Sequence, residues 1–149
     1  ASTAIGAILG GASEAAVQEM ATFGRSLGLA FQMTDDLLGI WGNPAITGKP
    51  VASDLLAHKK TLPILLALAW EAERGECALA QIYARDALTP QDIDSILALL
   101  ERAHARERTQ AMVDQHIQQA IGALERATSE SPARQALASL AFSVSHRVF

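Results

Sequence analysis

Asp35 and Asp36 are the only adjacent acids in the sequence, and they stand inside an apolar run: Leu27, Leu29, Ala30, Phe31 and Met33 precede them, and Leu37, Leu38, Ile40 and Trp41 follow. A helix of that composition tends to bury itself, and an ionised carboxylate desolvated without a counter-charge would take up a proton instead. Two carboxylates in such a setting require a hard cation or a basic neighbour. The bases come soon after: Lys49, Lys59 and Lys60, with His58 beside them. These are all the lysines of the chain, and its other nine basic residues are arginines. A lysine ammonium is a compact charge on a flexible stem, suited to phosphate oxygens, whereas arginine favours planar paired contacts. Acids able to hold a divalent metal, with lysines one loop away, make a site for a metal-bridged phosphate or diphosphate. Taken singly, the acid pair and the basic loop read more plainly as solvated surface. Their nearness and the apolar setting of the acids favour a site.

The same stretch resembles the trans-isoprenyl diphosphate synthases, or polyprenyl synthetases. The second aspartate-rich segment of that family reads Phe-Gln, two residues, Asp-Asp, two residues, Asp. Phe31-Gln32-Met33-Thr34-Asp35-Asp36-Leu37-Leu38 follows it up to the last position, where Gly39 replaces the third Asp. Trp41-Gly42-Asn43-Pro44 and Thr47-Gly48-Lys49 resemble the loop after that helix, and Asp54, Lys59 and Thr61-Leu62-Pro63 resemble the family's Asp, Lys and Thr-Leu-Pro segment. The resemblance implies an all-α helical bundle of the isoprenoid synthase type. It implies a prenyltransferase in which Mg²⁺ and basic residues grip an allylic diphosphate and help it leave, and the resulting carbocation is attacked by isopentenyl diphosphate. Carried over residue by residue, Asp35 and Asp36 are the Mg²⁺ ligands, Lys49 and Lys59 the catalytic diphosphate contacts, and Phe31 and Gln32 substrate-facing positions. Asp54 holds the lysine loop, and Gly39 is a vacant ligand position that an aspartate would fill without harm.

Members of that family are longer and carry an earlier aspartate-rich motif on a helix facing this one. Asp86, Asp92, Asp94 and Asp114 lie in polar surroundings without DDxxD spacing. Residues 1–149 are therefore expected to be one domain, the C-terminal portion of such an enzyme and about half of its fold, inactive without a complementary N-terminal half and associating with that half or as a homo-oligomer. Two other readings stay open: a non-catalytic regulatory or structural subunit of a heteromeric synthase, favoured by Gly39 and the missing first motif, and part of a class I terpene cyclase.

Composition is consistent with a globular chain. Half of the 149 residues are hydrophobic, and a net charge of -4 without a basic face argues against nucleic acid as a partner. No apolar run reaches the roughly 18 residues of a membrane span, and no signal peptide opens the sequence, so a cytoplasmic location is expected. Cys77 is the single cysteine, which excludes an internal disulfide.

The elements that must position these residues all read as helices. Ser2 to Leu9 is an uncapped apolar segment. Ser13 with Glu14 opens a long helix running to about Trp41, in which Gly24 and Gly28 would admit a close neighbour. A loop from Gly42 to Pro50 follows, then a helical turn over Ser53–His58. Thr61 caps a nearly all-apolar helix, Leu62 to about Glu73, expected to be the most buried piece. Cys77–Ala87 reads as a modest helix. Thr89, Pro90 and Asp92 start another, with Ile93, Ile96, Leu97 and Leu100 inward. Arg106–Ala127 follows with Met112, Val113, Ile117, Ala120, Ile121 and Leu124 on one face. Ser131-Pro132 opens the last helix, carrying Leu137, Leu140, Ala141 and Val144, with Arg147 suited to its final turn.

Overall fold

The structure, a computed structural model, describes residues 1–48 and 52–145. Among them there is no strand, and the helices in chain order are α1 (Ser2–Leu9), α2 (Glu14–Trp41), α3 (Pro44–Thr47), α4 (Ser53–Leu56), α5 (Leu62–Ala72), α6 (Ala78–Tyr83), α7 (Pro90–Arg102), α8 (Ala105–Ala127) and α9 (Pro132–Ser145). None of these is long and apolar enough to cross a membrane. The described residues form two compact units, 1–34 with 112–145, and 35–111.

In the first unit, Phe23, Ala120, Ala123, Leu124 and Ala141 are buried together, flanked by Met20, Leu27, Ile121, Leu137 and Ala138. The start of α2 is set by its local chemistry: the Ala16 amide donates to the Ser13 hydroxyl at 3.3 Å, as the sequence suggested. A Cβ on Gly24 would stand 2.2 Å from the Thr3 hydroxyl, so this glycine does let α1 lie close, whereas Gly28 faces open space. Glu19 and Arg126 join α2 to α8 through two parallel bonds of 3.0 Å. The hydrogen bond to Arg126 holds the Glu19 carboxyl below its ordinary range. Of the apolar residues carried by α9, Leu140 is exposed while Ala141 and Val144 are buried. Arg147 lies outside the described residues.

The second unit has the larger core, built from Ile40, Leu55, Ile64, Ala67, Leu79, Ile82, Tyr83, Ile96 and Leu100. Helices α5, α6 and α7 pack on one another. The Thr89 and Asp92 signal is realised as a full capping box: the Asp92 amide donates to the Thr89 hydroxyl at 3.2 Å, and the Thr89 amide donates to the Asp92 carboxylate at 2.8 Å. Bonds from Thr89, first the backbone and then the hydroxyl, hold the Asp92 carboxyl below its ordinary value, with Arg85 adding to them.

Two expectations change here. Residues 44–47, expected as loop, form the single turn α3, because Asn43 accepts from the Ala45 amide at 2.9 Å and Gly48 ends it in the left-handed region at φ 68°. The sequence suggested an 11-residue helix from Cys77, but α6 ends at Tyr83. Helix α5 buries one face, Pro63, Ile64, Ala67 and Glu71, while Leu65 is 49% exposed, so its nearly all-apolar composition is not enclosed on every side. An all-apolar composition does not say how many sides of a helix have neighbours.

Candidate functional site

Helix α2 ends in the second unit, and its last two turns carry Asp35, Asp36 and Gly39. The C-terminal end of a helix has a negative dipole and carbonyls without intrahelical partners, so it attracts cations and hydroxyl donors. The Ser53 hydroxyl donates to the Gly39 carbonyl at 3.4 Å. This places α4 beside the end of α2, with Asp54 in its first turn.

Asp54 is 5% exposed and accepts from the Lys59 ammonium at 2.6 Å. The backbone reinforces this contact, since the Lys59 amide donates to the Asp54 carbonyl at 2.9 Å. Two residues other than glycine in the left-handed region, Ala52 (φ 56°) and His58 (φ 55°), bracket α4. Each costs on the order of 1 kcal/mol, which the packing around α4 must offset. Tyr83 closes the other side: its hydroxyl donates to the Lys59 carbonyl at 3.4 Å, and its ring lies 4.9 Å from that of His58. Burial, then the charge of Asp54, pushes the Tyr83 hydroxyl up to about 12.

Lys59 is therefore anchored at its backbone and at its ammonium, though its side chain is 54% exposed. The hydrogen bond and charge of Asp54 hold its pKa above the ordinary lysine value, and the charges of Asp35 and Asp36 push in the same direction. The second unit thus brings Lys59 into the field of three carboxylates.

Asp36 has a second role. Its Oδ2 accepts from the Leu62 amide, the first of α5, at 3.0 Å. Thr61, expected to cap α5, stands at the N-cap position but makes no side-chain cap bond, and its hydroxyl is buried without a partner. The cap comes from a carboxylate 26 residues earlier. A similar remote device operates at α6, where Cys77 supplies no side-chain cap: both oxygens of Glu71, 2% exposed, accept from the Leu79 amide at 3.0 Å.

The remaining sequence-derived positions are less gathered. Phe31 and Gln32 lie one turn earlier on α2, within the first unit, and are exposed. Lys49 lies outside the described residues, and Lys60 is exposed. The space at position 39 is not vacant, because the Asp54 carboxylate fills it. Among the described residues no three His, Cys, Asp or Glu side chains are gathered as a metal site. Two adjacent carboxylates nonetheless fit Mg²⁺, which keeps several waters and is commonly held by one or two carboxylates together with substrate phosphates. Sequence reading missed Tyr83, Glu71 and the capping role of Asp36. An open hollow of about 460 Å³ on the second unit is lined by Trp41, Asp94, Leu97, Ala98, Arg106 and their neighbours, and by none of the site residues.

Residues 1–100 match the polyprenyl synthetase family, and the chain belongs to that family. It is 42% identical over 137 residues to the geranylgeranyl diphosphate synthase of Mycobacterium tuberculosis, covering 92% of this chain and 39% of that protein. It resembles the crystal structure of a polyprenyl synthetase from Streptomyces coelicolor A3(2) with a TM-score of 0.82 at 38% identity, covering 95% of this chain and 44% of that one. It also resembles a geranylgeranyl pyrophosphate synthase from Corynebacterium glutamicum complexed with isoprenyl diphosphate and magnesium, with a TM-score of 0.79 at 28% identity over 93% of this chain and 39% of that one. The fold is accordingly all-α and of the isoprenoid synthase type. The chain spans about two-fifths of the length of the curated relatives it matches.

Proposed function

We propose that residues 1–149 form the C-terminal portion of a single isoprenyl diphosphate synthase domain, a cytoplasmic transferase that elongates an allylic diphosphate with isopentenyl diphosphate. The observation that supports this reading is the Lys59 ammonium held on the buried Asp54 carboxylate beside the C-terminal end of α2, the helix that carries Asp35 and Asp36. Carboxylates beside an anchored ammonium suit a ligand that brings its own cations and presents phosphate oxygens.

Asp35 and Asp36 would hold Mg²⁺, which when bound supplies positive charge against the departing diphosphate. Lys59 presents its ammonium to the diphosphate oxygens as negative charge builds on them; Asp54 limits where that ammonium can go, so little reorganisation is needed during reaction. Lys49 is a second diphosphate contact, and Phe31 and Gln32 are substrate-binding residues. Asp36, tied through Leu62 to the start of α5, keeps the aspartates in register with the lysine segment.

The test is Mg²⁺-dependent binding of inorganic pyrophosphate by calorimetry in the assembled protein. Asp35→Ala is expected to abolish it with helix content by circular dichroism unchanged; unaltered affinity would sink the metal assignment. The absence of a third gathered acid among the described residues keeps the non-catalytic subunit as second reading. That reading gains if the unmodified protein binds no pyrophosphate at any Mg²⁺ concentration.

A further inference from the structure

Gly39 sits inside α2, where a glycine weakens a helix relative to alanine. What it provides is room. A Cβ built there would stand 2.3 Å from Asp54 Oδ2, 2.5 Å from its Cγ and 3.1 Å from its Cβ. Contacts of this kind with a buried carboxylate cannot persist, and the carboxylate has little freedom to leave. Its other oxygen holds the Lys59 ammonium at 2.6 Å, and the neighbouring Ser53 hydroxyl is bonded to the carbonyl of Gly39 itself.

We propose that Gly39 is a positioning residue for Lys59, acting through Asp54: the missing side chain on α2 opens the niche in which Asp54 lies, and Asp54 in turn holds the lysine ammonium. This rests on the reading of Lys59 as a diphosphate contact and adds what sets its position. Position 39 and Asp54 compete for one volume, so a side chain at 39, an aspartate included, displaces Asp54 and frees the lysine. The gap in the aspartate-rich motif is matched by the acid fifteen residues later.

The experiment uses Gly39→Ala, Asp54→Ala and the double variant in the full-length protein, with two readouts. One is Mg²⁺-dependent affinity for inorganic pyrophosphate. The other needs no ligand: the ¹⁵N–¹H signal of the Lys59 ammonium, which a tight ion pair protects from exchange with water. Gly39→Ala is expected to lower pyrophosphate affinity roughly tenfold and to abolish the protected signal. Asp54→Ala is expected to do the same, and the double variant to lose no more than Asp54→Ala alone, because only Cβ, at 3.1 Å, remains to meet the new methyl group. Additive losses, or a Gly39→Ala protein with unchanged Lys59 signal, overturn the proposal. If Gly39→Ala does not fold, restored folding in the double variant supports it and continued unfolding refutes it. A parent protein that binds no pyrophosphate refutes the diphosphate reading, while the Lys59 signal still decides the coupling.

Discussion

Asp35 and Asp36 are neighbours on one helix and carry the same charge, yet they are expected to differ in what their loss does to stability. Replacing either with alanine gains about the same helix propensity, a few tenths of a kcal/mol, so that contribution cancels between the two variants. Each also removes one carboxylate from the field of Lys59. Only Asp36 accepts from the Leu62 amide, and the Thr61 hydroxyl makes no cap bond in its place. Removing a side-chain cap costs about 0.5–2 kcal/mol, and leaving a half-buried amide unsatisfied about 1–3 kcal/mol. Asp36→Ala is therefore expected to be less stable than Asp35→Ala by about 1–2 kcal/mol. In a chain of this size that corresponds to about 2–8 °C in Tm. Thermal unfolding followed by circular dichroism reads the difference directly, and pyrophosphate titration is expected to show both variants equally impaired. Equal melting temperatures, or Asp35→Ala melting lower, would refute the assignment of Asp36 as the cap of α5.

Other outcomes follow from the same contacts. Lys59→Gln is expected to weaken diphosphate binding roughly 10- to 100-fold, given about 1.5–3 kcal/mol for a charged hydrogen bond, with a smaller loss for monophosphates and only partial rescue by arginine; equal losses for mono- and diphosphate would indicate a purely structural lysine. Because Glu19 is held below its usual value of 4.5 by Arg126, the pair contributes stability that is complete above that value and is lost as pH falls through the lower folded value. Arg126→Gln is accordingly expected to lower Tm at pH 7 and to flatten its fall on acidification, and an unchanged Tm profile would show the pair to be inert. Finally, α1 buries none of its residues, and Ile5, Ile8 and Leu9 are all more than half exposed. The isolated 149-residue chain is expected to associate in sedimentation experiments and to make no prenyl product, and a stable active monomer would overturn the half-enzyme reading.

The parts of this protein legible in its sequence are those whose chemistry is local. Ser13 before α2, and Thr89 with Asp92 at α7, mark helix starts because the bonds they make span three residues, a range that spacing reveals. The proposal of a site at the acid pair rests on sequence for a similar reason: an acid pair in an apolar run must be compensated, and the lysines follow one loop away. The tertiary structure decided the rest. Leu62 is capped by Asp36 and not by Thr61, and Leu79 by Glu71 and not by Cys77, because an orphan amide donates to whichever oxygen folding brings to it. Gly39 looked like a missing ligand and proved to be a space already taken, since what occupies the volume beside a glycine depends on the neighbouring segment and not on the glycine's own helix.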